Sequence, residues 1–144
     1  MQRMTESILV ALGALLCLGG ATGAWLGQLS SPAASLWPLP ALVLIEWVLL
    51  GALEVIAAIG DRLSERSRWS TLRWVICGAL FGLLIMGLFS IGLLVLFAAL
   101  AFLGALMLAD RRYQRTKIIP LGMLTAGTLG NIGLLLTLIS LAHV

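Results

Sequence analysis

Glu46 and Glu54 stand inside the apolar run IEWVLLGALEVIAAIGD, residues 45–61. A carboxylate in hydrocarbon is expensive, so acids inside an apolar helix mark either a proton or cation path or polar contacts between helices. The two are eight residues apart, which reads as roughly one helix face with ~12 Å between them along the axis. If the helix covers residues 40–60, each carboxylate lies ~9 Å from an end. No lysine or arginine falls inside an expected span, so a deep ion pair within the chain is not expected. The remaining partners are hydroxyls, backbone, water, Asn131, or a basic group of another molecule. Asn131 is the only asparagine, and Thr125 and Thr128 precede it at three-residue spacing on one face. Glu46, Glu54 and Asn131 together are the candidate intramembrane polar site. They read either as an ion path or as hydrogen-bonded contacts between helices.

Other chemistry is sparse. The single histidine, His143, stands next to the last residue, so a bis-histidine haem site and an HExxH zinc site are excluded. Cys17 and Cys77 are the only cysteines, both in apolar segments, without CxxC spacing. They read as small buried apolar residues. No Ser-His-Asp set, GxSxG elbow or phosphate-cradling glycine loop occurs. The chain is therefore not expected to be an enzyme, and no metal or cofactor is expected.

The elements that must hold these residues are set by hydropathy. Of the 144 residues, 61% are hydrophobic and only 10% charged. A soluble domain of this size still needs a polar exterior, whereas runs of 18 or more apolar residues call for a bilayer. In a bilayer every backbone group must be paired within its own segment, so each span is a helix. The expected fold is all-α: one integral membrane domain, residues 1–144, of five transmembrane helices at about 7–28, 40–60, 73–89, 91–109 and 118–142. Pro40 suits the first turn of the second. Residues 74–109 carry no charge. As one helix they would be ~54 Å long, so the run must break, and FSIG at 89–92 is the best place. The N-terminal run is read as an uncleaved first span rather than a signal peptide, because the apolar character continues through Leu29.

Charge supports five spans. The basic residues are Arg3, four arginines between Asp61 and Arg73, and four residues in RRYQRTK at 111–117. With a cytoplasmic N-terminus and an external C-terminus, all nine fall on the cytoplasmic side. Residues 61–73 are read as a loop that orients the chain, with a short interfacial helix as the second possibility. Arg62, Arg66, Arg68, Arg111 and Arg112 are the expected contacts to anionic headgroups; nucleic acid is not an expected partner.

Small residues recur every four positions. Gly19, Gly23 and Gly27 do so in span one, Gly78 and Gly82 in span three, Ala101, Ala105 and Ala109 in span four, and Gly122, Ala126 and Gly130 in span five. Such stripes let helix backbones approach closely. Packing within this chain is the first expectation for them, and contact with another chain the second. The function expected is that of an accessory subunit or small oligomer in a plasma membrane of bacterial inner-membrane type, acting through helix contacts. Its partners would be a larger membrane complex or further copies of itself. The alternative is a small carrier or channel for a proton, cation or cationic solute using Glu46 and Glu54.

Overall fold

A computed structural model describes residues 2–30, 39–64, 67–87, 92–113 and 118–142. The described residues form five helices: α1 (Gln2–Leu29), α2 (Leu39–Ser64), α3 (Ser67–Met86), α4 (Gly92–Tyr113) and α5 (Ile118–Ala142). All five are long and apolar enough to cross a membrane. Their outer surfaces carry exposed Leu15, Leu26, Leu49, Ile56, Phe97 and Leu129, among other large apolar side chains. So broad an apolar exterior suits a multi-pass membrane protein and would aggregate in water.

Helices α1 to α4 form a ring in which each packs on its two neighbours, while α5 lies outside and packs on α3. Side-chain pairs fix the directions. The start of α1 meets the end of α2 through Glu6 and Arg62, and the start of α3 meets the end of α4 through Ser70, Trp74 and Asp110. These termini therefore share one end of the bundle. All nine basic residues belong to that end or to its two connections, 65–66 and 114–117.

Close approach between helices rests on large side chains seated against glycines. The Phe102 ring lies where a Cβ at Gly13 would be, the Trp47 ring against Gly20, and Trp69 against Gly60. Trp47, Phe102, Leu80, Leu83 and Val95 are fully buried and form the centre of the ring. In a bilayer a fully buried residue would contribute through dispersion and shape, because lipid is as apolar as the interior.

Three expected boundaries are corrected. Span one begins at Gln2 rather than Ser7, which brings Glu6 into α1. Span three begins at Ser67 rather than Arg73, and α2 continues to Ser64. Residues 61–73 are thus the ends of two helices with a connection of two residues, 65–66, not a loop. Their charges looked like loop composition, yet Asp61 and Arg73 are buried and pair with one another and with neighbours. The α3–α4 break falls close to the expected place. Helix α3 stops at Met86, where Gly87 N–H bonds to Leu83 O at 2.8 Å and Gly92 N–H to Gly87 O at 2.7 Å. Phe89, Ser90 and Ile91 of the FSIG stretch lie outside the described residues.

Candidate functional site

Arg73 organises the chemistry of the bundle. It lies ~9 Å along α3 from Ser67, counting 1.5 Å per residue, and its side chain is 0% exposed. Its Nε donates to Glu54 Oε1 at 2.7 Å, a short charge-assisted bond. Its Nη1 lies 3.5 Å from Asp61 Oδ2 and 3.5 Å from Glu6 Oε1. Each of the three carboxylate side chains is 1% exposed. At the rim, Arg62 Nη2 lies 3.6 Å from Glu6 Oε1 and is 38% exposed. The cluster ties α1, α2 and α3 together at the basic end.

Local geometry explains why these residues meet. Glu54 and Asp61 are seven residues apart, and 3.6 residues per turn place them on one face of α2. Helices α2 and α3 form a tight hairpin about residues 65–66. In an antiparallel hairpin centred there, the position level with Arg73 is Ala58. Glu54 and Asp61 lie about one turn to either side of that level. A long arginine entering from α3 reaches both.

The expectation that no deep ion pair exists within the chain is therefore corrected. The charge pattern puts Arg73 at the boundary of a loop, whereas it lies well inside α3. The structure also separates the members of the candidate polar site. Eight residues amount to a rotation of ~80° about a helix. Glu54 faces Arg73 and is fully buried, whereas Glu46 is half-buried and neighbours the Asn131 side chain of α5. Asn131 Nδ2 donates to Ala79 O at 2.8 Å, and Thr128 Oγ1 to Gly78 O at 2.9 Å. These bonds fasten α5 to α3. Thr125 is exposed and bonds to carbonyls of its own helix, Leu121 O and Gly122 O. Glu6, Asp61 and Arg73 were missed as site residues. The signal that could have found them is the seven-residue Glu54–Asp61 spacing facing an arginine across a two-residue connection.

The small-residue stripes divide into two kinds. Ala101, Ala105 and Ala109 are buried in the ring. Gly78 and Gly82 receive α5, so that a Cβ on Gly78 would run into the Leu124 carbonyl and one on Gly82 into Thr128 O at 2.9 Å. Gly127 answers from α5 against the Val75 backbone. By contrast, Gly19, Gly23, Gly27, Gly122 and Gly130 do not pack within the chain as first expected: a Cβ at any of them would meet nothing within 4 Å among the described residues. Ala126 is exposed beside the last two.

Of the headgroup candidates, Arg68 and Arg111 are exposed and Arg62 is shared with Glu6. Arg66 and the side chain of Arg112 lie outside the described residues. Asp110 accepts from Ser70 Oγ at 3.1 Å and from Trp74 Nε1 at 2.8 Å, which locks α4 to α3. Comparison with protein-family models, with curated proteins and with solved structures finds no match to this chain.

Proposed function

We propose that the protein is a multi-pass membrane protein that works through helix contacts, as an accessory subunit of a larger complex or as a small oligomer. The observation that carries this reading is the division of the glycines. Gly13, Gly20, Gly60, Gly78, Gly82 and Gly127 each sit against a ring or a backbone of another helix, while Gly19, Gly23 and Gly27 form a face of α1 with nothing on it among the described residues. Glycine lowers helix stability and offers lipid little to pack on. A repeated exposed glycine is best accounted for by the close approach of another helix. Helix α5 presents a second such face at Gly122, Ala126 and Gly130.

The orientation that supports this reading best places the basic end in the cytoplasm and the C-terminus outside, in a plasma membrane. The exposed Arg68 and Arg111 then contact anionic headgroups. The carrier alternative draws less support, because Glu46 and Glu54 face different helices and do not line one path. Glu54 also no longer calls for a cation from a partner, since Arg73 supplies one. The glycine face remains as a docking surface.

Gentle extraction of the tagged native protein, with mass measurement of the intact assembly, tests the reading. A stoichiometric membrane partner or a defined homo-oligomer is the expected result. A homogeneous lone chain, active by itself, would overturn it.

A further inference from the structure

We infer that Glu46 docks a lysine or arginine carried on a transmembrane helix of a different chain. The inference rests on the reading of the protein as one that works through helix contacts. It chooses between the two partners of that reading: a larger complex rather than further copies. The site lies between two helices. Helices α2 and α5 each pack on α3 and make little contact with one another, which leaves a cleft over α3. Glu46 stands on its α2 side, and the Asn131 side chain meets it from α5. Asn131 is buried, and its Nδ2 spends one N–H on Ala79 O at 2.8 Å. An amide nitrogen carries two, so the second is left for the Glu46 carboxylate. Glu46 itself is only half-buried, and Leu49 and Leu53 beside it are 55% and 44% exposed. The carboxylate is thus held at the rim of the cleft, where another helix can reach it.

Charge selects the occupant. Counted from Leu39, Glu46 lies ~10 Å along α2, at the end of the bundle away from the basic residues. The ion pairs of the described residues do not include it. Arg73 lies level with Ala58, ~18 Å further along the axis, and is engaged by Glu54. A carboxylate in a span is costly alone, and so is a lysine or arginine of a second span. Placed at one depth, each resolves the other. At that depth the partner's backbone must be helical, since hydrocarbon leaves its polar groups no other pairing.

A second copy of this chain does not supply the cation. All nine lysines and arginines belong to the basic end or its connections, so a parallel copy brings none of them to the depth of Glu46. An antiparallel copy would have to insert against the bias that gathers those nine residues at one end. The single histidine, His143, stands twelve residues past Asn131 in the sequence. The helix that fits Glu46 therefore belongs to another protein, with a basic residue inside its own apolar span.

The test is photo-crosslinking in native membranes. Leu53 lies seven residues from Glu46 on the same stripe of α2. The full chain carries Leu53→p-benzoylphenylalanine, and the crosslinked peptide is sequenced by mass spectrometry. The expected peptide comes from an apolar span of a different chain and contains a lysine or arginine. Glu46→Gln should lower its yield by at least about tenfold while keeping the thermal midpoint of wild type. Glu46→Lys, combined with glutamate in place of the partner's basic residue, should restore the yield. Should Glu46→Gln shift the midpoint, that exchange of charges decides. A partner peptide without a basic residue, an adduct to lipid alone, a yield unchanged in Glu46→Gln, or no recovery on exchange would each overturn the inference. A crosslink to a second copy would overturn it too, while the reading through helix contacts would stand as a small oligomer. With no crosslink at all, the mass of the intact assembly separates the two: a stoichiometric assembly overturns this inference only, and a lone chain overturns both.

Discussion

Arg73 meets three buried carboxylates, so its removal strands more charge than the removal of any one of them. Removal of one member of a buried ion pair typically costs about 3–5 kcal/mol, because the other charge stays buried without compensation. Arg73→Ala, which strands three carboxylates, is expected to lower stability by about that amount, read as a fall in the thermal midpoint of the detergent-solubilised chain. Arg73→Lys should fall between it and wild type, since an ammonium lacks the fork that reaches Glu54 and Asp61 through separate nitrogens. The double variant Arg73→Met with Glu54→Gln should be more stable than Arg73→Ala, as fewer unpaired charges remain. Equal midpoints for Arg73→Ala and wild type would show that the cluster carries no folding energy. At this scale the sequence was half legible. Glu54 stood out because an acid in an apolar run is rare. Arg73 did not, because it follows a run of charges and a loop explained it equally well. Only the pairing geometry across residues 65–66 separates the two readings.

At the scale of the element, the junction of α3 and α5 is the best-defined contact outside the ring. It uses Gly78 and Gly82 on one side and Gly127 on the other, with Thr128 and Asn131 bonded to carbonyls of α3. Interhelical bonds of this kind average about 0.6 kcal/mol in membranes, so close packing rather than hydrogen bonding should dominate. Thr128→Val with Asn131→Leu is expected to loosen α5 slightly. Gly127→Leu, whose side chain would enter the Val75 backbone, should release α5 altogether. Hydrogen exchange of α5 amides, compared with those of α4, reads both effects. Equal protection of α5 in Gly127→Leu and wild type would contradict the assigned contact. The Gly78–Gly82 spacing marks a packing face of α3 in the sequence, without naming α5 as its neighbour. Gly127 lay off the expected Gly122–Ala126–Gly130 stripe, because a four-residue repeat defines a face without saying which neighbour it meets. The same limit applies to α1, where Gly13 and Gly20 do the packing and the regular series at 19, 23 and 27 points outward.

At the scale of the whole molecule, the number of helices and the gathering of basic residues at one end were legible from hydropathy and charge. These are properties of long segments and tolerate errors of several residues at each boundary. The ring of α1 to α4 with α5 outside was not, since it depends on which glycines receive which side chains. The expected orientation can be read from single cysteines introduced at Ser35 and Thr116, labelled in sealed inverted and right-side-out vesicles. Cys17 and Cys77 are buried and should stay silent. Ser35→Cys should react only from outside and Thr116→Cys only from the cytoplasmic side; the reverse pattern would overturn the orientation.

The reading of function depends on two classes of glycine, one serving the fold and one serving another chain. Native mass spectrometry of wild type, Gly23→Leu and Gly78→Leu, each released from lipid nanodiscs, tests that division most directly. Gly23→Leu should keep the thermal midpoint of wild type while losing the partner or further copies, and Gly78→Leu should lower the midpoint by releasing α5 from α3. An assembly that survives unchanged in Gly23→Leu would contradict the division and remove the α1 face from the account.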